Sequence, residues 1–257
     1  MNGKIEQQSF IQALVKGLSV LECFESDSEE LGVQDISKKI DSPEATVYRT
    51  LSTLEFKGYV IQNPETKKYR LSLKFLIFGS KMKHILKWQE KAKQLMLELN
   101  EKCGETVNLA IREDDKLVYL DKVDCRHVLR PNFKIGVRYP TYCTALGRVL
   151  LTVFPEEALD SLFTTPLEPL TPYTITDLEK IKEKIREIKK QGYAIDNEEF
   201  CLGVRCVAAP IKGFGGNTVA AISVSIPTIR IESDEKMEHI KDLVVATAKK
   251  ISGELNF

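Results

Sequence analysis

Apolar positions along this chain repeat at helical spacing over three early segments. Ile11, Leu14, Val15, Leu18, Leu21 and Phe24 recur at intervals of three and four, which predicts an amphipathic helix with that stripe turned inward. Ser9, with Gln12 three residues on, has the pattern of a capping box at its start. Val33, Ile36 and Ile40 predict a short second helix. In the third segment Val47, Thr50, Leu51 and Leu54 form the buried stripe. Ser42 is placed to accept from the free amides of the first turn, Pro43 suits the first helical position, and Gly58 suits the C-terminal cap. The period then changes to two. Residues 59–62 and 68–73 read as strands about the turn Asn63-Pro64-Glu65-Thr66, with Tyr69, Leu71 and Leu73 inward and Lys68, Arg70 and Ser72 outward. Three helices and a β-hairpin within about 70 residues make a winged helix-turn-helix.

The run Leu73, Phe75, Leu76, Ile77 and Phe78, continued by Met82, Ile85, Leu86 and Trp88, is more apolar than so small a domain can cover alone. A linking helix over 74–88 is therefore expected to pack against a partner subunit, the alternative being the chain's own C-terminal part. Ala92, Leu95, Met96 and Leu99 form another helix, closed near Cys103-Gly104. Residues 106–112 and 117–124 read as a hairpin, and 141–150 as a strand or loop entering a helix. Thr176-Asp177-Leu178-Glu179 resembles a second capping box, opening a helix lined by Leu178, Ile181, Ile185 and Ile188 and ended by Gly192. Strands over 204–211 and 218–226 flank the turn at 213–217. A final helix from near Asp234 to Leu255 turns Met237, Ile240, Leu243 and Ile251 inward. Antiparallel strands with helices between them predict an α+β C-terminal domain. The expected organisation is a winged domain over 1–73, a linking helix over 74–88 and a second domain over 89–257.

Charge sharpens this reading. Lys plus Arg and Asp plus Glu each number 37, so net charge says nothing about nucleic acid. The distribution does: Glu25, Asp27, Glu29 and Glu30 make the first part acidic, whereas the balance turns basic from Arg49 through Lys93. Such a footprint suits phosphate contacts, though a solvated helix face has the same composition. On the third helix Ser42, Glu44, Thr46, Tyr48 and Arg49 lie off the apolar stripe. Arg pairs bidentately with guanine in the major groove and Thr touches a thymine methyl. Lys67, Lys68 and Arg70 on the wing suit the backbone. Any one amphipathic helix is more simply an ordinary surface helix; the complete winged arrangement makes this one a DNA-recognition helix.

In Ala221-Ile222-Ser223-Val224-Ser225-Ile226 the period of two sends Ser223 and Ser225 to one face and the aliphatic residues to the other. A lone amphipathic strand would turn those hydroxyls to water. Cys206 adds a small polar group on the preceding strand, and Asp196, Glu198 and Glu199 follow Gly192 as surface charges or acceptors at a pocket rim. Cys143-Thr144-Ala145 enters a helix whose first amides suit an anion.

The six cysteines are scattered without C-x-x-C spacing, which points to a reducing compartment and argues against a zinc site. A thiol nucleophile at Cys206 lacks a nearby His, and the Gly213-Phe214-Gly215-Gly216 stretch lies between strands, where a hairpin turn is the better reading than a phosphate loop. Catalysis, cofactor and metal are not expected. A redox or metal sensor built on Cys201 and Cys206 is the alternative on the same platform. The N-terminus has no basic-then-apolar signal pattern and no run approaches membrane length, so a cytoplasmic location is expected.

Two stretches carry a family resemblance. Ser42-Pro43-Glu44-Ala45-Thr46-Val47-Tyr48-Arg49-Thr50-Leu51 resembles the N-terminal half of the IclR family of bacterial transcriptional regulators. Residues 192–199 with Gly203-Val204-Arg205-Cys206-Val207-Ala208-Ala209 resemble its distinctive C-terminal motif, and the likeness runs over essentially the full length. It implies a homodimer or dimer of dimers, a double-stranded DNA operator, repression as the expected outcome, and a GAF- or profilin-like C-terminal domain that binds a small effector, often an organic acid. Carried over by position, the effector residues are Ala145, Leu146, Asp196, Cys206, Ser223 and Ser225. Ala145 and Leu146 stand where small-acid binders have smaller residues, and Lys212-Gly213 departs from the usual end of the C-terminal motif.

Overall fold

The computed structural model describes residues 10–25, 30–85 and 88–255, with 81–85 as backbone only. The cap assigned to Ser9 and the apolar side chains of Met82, Ile85 and Leu86, expected to continue the face of the linking helix, lie outside that description. The chain divides into two compact units, Met1–Leu86 and Lys87–Phe257.

The first unit comprises α1 (Gln12–Glu22), which runs into a 3-10 turn, then α2 (Val33–Lys39), α3 (Glu44–Phe56), the antiparallel strands β1 (Val60–Gln62) and β2 (Tyr69–Leu71), and α4 (Lys74–Ile85). Its core gathers Val20, Phe24, Leu31, Ile36, Val47, Leu51, Val60 and Tyr69. Leu31 exchanges backbone hydrogen bonds with Tyr69 and so joins the hairpin to the segment before α2. At the end of α3, Gly58 takes φ +73°; its N–H donates to Glu55 O while Tyr59 N–H donates to Leu54 O, a Schellman motif that turns the chain into β1.

Four local expectations fail. First, α3 begins at Glu44 with Pro43 as the capping residue and no side-chain cap. Ser42 is buried at 8% exposure, because its backbone is tied to Ser37 across the turn between α2 and α3. Second, Ile11, Leu14, Val15 and Leu18 are exposed. The small core is already filled from α1 by Val20 and from the turn after it by Cys23 and Phe24. Third, of the wing residues expected inside only Tyr69 is buried; Leu71, the last residue of β2, and Leu73, past its end, are exposed. Fourth, in the second unit Asp177 rather than Thr176 caps its helix, accepting from the Glu179 and Lys180 amides.

The second unit comprises α5 (Trp88–Cys103), β3 (Thr106–Glu113), β4 (Lys116–Val123), β5 (Arg138–Pro140), α6 (Ala145–Leu151), α7 (Glu156–Leu162), α8 (Leu178–Gln191), β6 (Ala194–Asn197), β7 (Val204–Lys212), β8 (Thr218–Pro227) and α9 (Asp234–Leu255). Its six strands form one antiparallel sheet in the order β5-β4-β3-β8-β7-β6. Met96 and Leu99 of α5 and Ile240, Val244 and Ile251 of α9 cover one face together with Leu109, Ile222 and Val224. Ala145, Leu146, Val149 and Leu150 of α6 and Ile188 of α8 cover the other with Ala110, Cys206, Ala208 and Ala221. Among the described residues no helix is long and apolar enough to cross a membrane.

The approach of α6 depends on Gly147. A Cβ there would lie 2.3 Å from the Cα and carbonyl oxygen of Thr141, far inside contact distance. The Gly147 N–H meanwhile donates to the capping Thr144 Oγ1 at 3.0 Å. Gly147→Ala must therefore push α6 off the turn that precedes it. A loss of about 1–3 kcal/mol or more is expected, read as a lower urea midpoint at unchanged slope.

Candidate functional sites

On α3 the residues Glu44, Tyr48 and Arg49 are exposed and Thr46 is half-buried, so four of the five expected positions lie at least partly on the outer face; Ser42 does not. The Thr50, Ser52 and Thr53 hydroxyls donate to the carbonyls of Thr46, Tyr48 and Arg49. These hydroxyls are thereby turned onto the helix itself. On the wing Lys67, Lys68 and Arg70 are exposed. Glu30 grips the wing turn, accepting from Asn63 Nδ2 at 2.9 Å and Thr66 Oγ1 at 2.9 Å, and those two bonds hold its carboxyl below the usual range.

In the second unit α6 and α8 pack on one face of the sheet and α5 and α9 on the other, so both faces of β8 are covered, and the expectation drawn from the lone strand, that Ser223 and Ser225 face water, does not hold. Register places Asn108 opposite Ser223, and Ser225 opposite both Thr106 and Cys206; Cys206 in turn lies opposite Asp196. Cross-strand partners share a face. A polar row thus crosses the sheet beneath α6. Ser225 Oγ lies 3.1 Å from Cys206 Sγ, and Asn108 Nδ2 donates to Ser225 Oγ at 3.1 Å and Ser223 Oγ at 3.4 Å. Ala145 and Leu146 open α6 within the same cluster as Cys206, walled by Tyr119 and Phe133, whose rings stack at 5.2 Å. Tyr139 meets both edge-on, and Phe200 packs against Phe133 and Tyr139. All six residues expected at the effector site are buried in this region.

Asp196 is fixed by accepting the Glu199 N–H at 2.8 Å, yet burial pushes its carboxyl up to about 7. Glu199 itself forms a two-point ion pair with Arg148, Nη1 to Oε1 at 2.6 Å and Nη2 to Oε2, while Arg148 Nε donates to Tyr142 O at 2.9 Å. Glu198 instead accepts the Gly203 N–H at 2.7 Å, so the two adjacent carboxylates do not converge on one point. Burial raises the thiols of Cys206 and Cys143, the latter to about 12. Both stay protonated, which suits hydrogen bonding and not nucleophilic attack. None of the six cysteines, all of them among the described residues, forms a disulfide, and no group of three or more His, Cys, Asp or Glu among the described residues is arranged to hold a metal ion.

Sequence reasoning passed over Asn108, Tyr119, Phe133 and Arg148. Only Asn108 left a legible signal: with Thr106 and Ala110 it occupies the even positions of a strand whose odd positions, Val107, Leu109 and Ile111, are aliphatic.

Residues 13–64 match the IclR helix-turn-helix domain, and residues 81–253 match the C-terminal domain of the bacterial transcriptional regulator IclR. The chain is 33% identical over 253 residues to the HTH-type transcriptional regulator KdgR of Dickeya chrysanthemi, covering 98% of this chain and 82% of that one. It is 33% identical over 249 residues to the HTH-type transcriptional repressor AllR of Klebsiella pneumoniae, covering 96% and 91%. The fold is similar to an IclR homolog from Microbacterium hydrocarbonoxydans solved with 4-hydroxybenzoate, at TM-score 0.83 and 20% identity over 95% of this chain and 98% of that one. These domains and relatives are transcriptional regulators, not enzymes.

The Asp196 carboxyl has a pH signature. Its folded-state pKa lies above the unfolded value, so between 3.8 and about 7 the folded chain binds the extra proton. Stability therefore falls as pH rises through that window, and the cost is complete above about 7. Asp196→Asn keeps an acceptor for the Glu199 N–H and removes the titration. The melting temperature of the unaltered protein should fall more between pH 5 and pH 8 than that of the variant; parallel curves would mean that Asp196 is ionised throughout.

Proposed function

The chain belongs to the IclR family of bacterial transcriptional regulators, and from that premise we propose that it is a cytoplasmic repressor whose operator binding is modulated by a small organic acid held beneath α6. The observation that carries the ligand reading is the buried polar row of Asp196, Cys206 and Ser225, with Ser223 beside it under the opening of α6. Buried hydroxyls donate to a carboxylate, with the protonated thiol supporting Ser225 from beside it, while Asp196 accepts from a ligand hydroxyl or, protonated, donates as well. The similar fold solved with 4-hydroxybenzoate, and the repressor among the relatives, support the same reading.

On the DNA side, α3 enters the major groove with Arg49 reading base edges, and Lys67, Lys68 and Arg70 of the wing lie against the phosphates. A homodimer or dimer of dimers presents paired α3 helices to paired half-sites. The exposed apolar residues Leu14 and Leu18 of α1, and Leu76 and Ile77 of α4, suit burial against a second copy. The acid acts by binding one arrangement of the paired winged domains more tightly than another.

Arg49→Ala is expected to weaken binding to the specific operator by about tenfold to a hundredfold, in keeping with the 1–3 kcal/mol of a bidentate base contact, with much less effect on random duplex. Fluorescence anisotropy on duplexes tiled across the DNA beside the gene reads both; equal loss on every duplex would demote Arg49 to a phosphate contact. Replacing Ser223 and Ser225 by Ala should lower acid affinity by tenfold or more, seen as a matching rise in the concentration of acid that alters operator binding. An unaltered response would remove the serines from the pocket.

A further inference from the structure

Asn108 is fully buried in the middle of β3, and its carboxamide is used on one arm only. Nδ2 donates to the hydroxyls of Ser225 and Ser223. Oδ1 is buried and accepts no hydrogen bond from any described residue. A buried amide oxygen left without a donor costs free energy comparable to a lost hydrogen bond, so a fold that places one beside a polar row leaves an acceptor open there.

The occupied arm has its own consequence. Each serine hydroxyl receives a hydrogen bond from Asn108 and keeps a single proton to give. The Cys206 Sγ–Ser225 Oγ contact at 3.1 Å admits either group as donor; in the arrangement where the thiol donates, both lone pairs of the serine oxygen are engaged and its proton is free for an acceptor. The face therefore offers donors at the two serines and an acceptor at Asn108 Oδ1. The two arms of one carboxamide are close together. A ligand matching both bears its carboxylate and a donating hydroxyl within one or two carbons of each other.

We propose that Asn108 is a ligand-contacting, specificity-determining residue, that it turns the Ser223 and Ser225 protons toward the ligand carboxylate, and that its own Oδ1 accepts from a ligand hydroxyl, so that the effector is a 2- or 3-hydroxy acid. This rests on the reading of the polar row as the acid site. It adds a residue and a chemical class, because the donors alone would serve any carboxylate.

The test uses acids that differ by one hydroxyl, titrated into the full-length protein by calorimetry: propionate against D-lactate, L-lactate and 3-hydroxypropionate, and hexanoate against both enantiomers of 2-hydroxyhexanoate and 3-hydroxyhexanoate. The expected result is that at least one hydroxy acid binds about tenfold or more tightly than its deoxy partner, the margin of a buried acceptor satisfied against one left bare. In Asn108→Leu that ratio should collapse toward one. Asn108→Asp, which offers the serines an acceptor in place of a donor and adds a negative charge, should weaken both members of the pair. Replacing the serines should also weaken both members, separating the carboxylate contact from the hydroxyl contact. Equal binding within every pair by the unaltered protein would overturn the proposal while leaving the acid site standing, and that comparison does not depend on any variant folding. A hydroxyl preference that survives in a folded Asn108→Leu protein would overturn it too. Binding of none of the acids would overturn the acid site and this inference together.

Discussion

The second unit depends on one buried ion pair. Arg148 of α6 is almost fully enclosed, and a guanidinium in that position is tolerated only if its charge and donors are matched. Glu199 supplies the carboxylate at two points and Tyr142 a carbonyl. The threonine hydroxyls of Thr171 and Thr174 close on the Glu199 carbonyl oxygen, and the Glu199 N–H donates to Asp196. Helix α6, the turn before it, the loop after β6 and the carboxyl of Asp196 are thereby fixed to one another. Removing one partner of such a pair typically costs about 3–5 kcal/mol, because the survivor remains buried and unmatched. The residues that face the polar row are placed by a contact that lies behind it.

The same demand for partners orders the polar row. In the interior of an antiparallel sheet with helices on both faces, a hydroxyl or amide left without a partner is costly. Ser225 finds Cys206 and Asn108; Ser223 finds Asn108. The opposite face of β8 has no such demand, since Ile222, Val224 and Ile226 lie in the apolar cluster that includes α5 and α9. One strand thus carries an aliphatic face on one side and a polar one on the other. Tyr119, Phe133, Tyr139 and Phe200 form an aromatic cluster in the same core as Cys206, and such apolar surroundings strengthen each hydrogen bond made there.

The first unit follows a different economy of size. Its core is small, and the apolar residues of α1 and α4 that the core cannot hold are left on the surface. Tyr59 anchors α4 to the end of the hairpin by packing on Phe75 and Phe78, and the Lys74 ammonium sits 4.1 Å from its ring centroid. The result is a winged domain that is internally complete at α2, α3 and the hairpin while presenting apolar surface at α1 and α4.

Much of this was legible in the chain itself, because helical and strand periods are local properties. The spacing of Val47 and Leu51, the alternation in 218–226, the run of isoleucines in α8 and the glycines at 58 and 192 each announce their element without reference to anything distant. Family likeness added the site residues by position, including those whose chemistry is ambiguous alone. What the chain did not disclose was decided by packing between segments far apart. The inward face expected for α1 is exposed because the residues around Val20 and Phe24 had already filled the core. Ser42 looked like a cap and is buried, since the turn from α2 carries it inward. The serine face of β8 looked solvent-directed in the strand alone until α6 packed over it, and Asn108 of the neighbouring strand became its partner across 115 residues of sequence. Period reports which face a residue shares with its neighbours; only the tertiary structure decides whether water, a helix or another strand's side chains stand opposite that face.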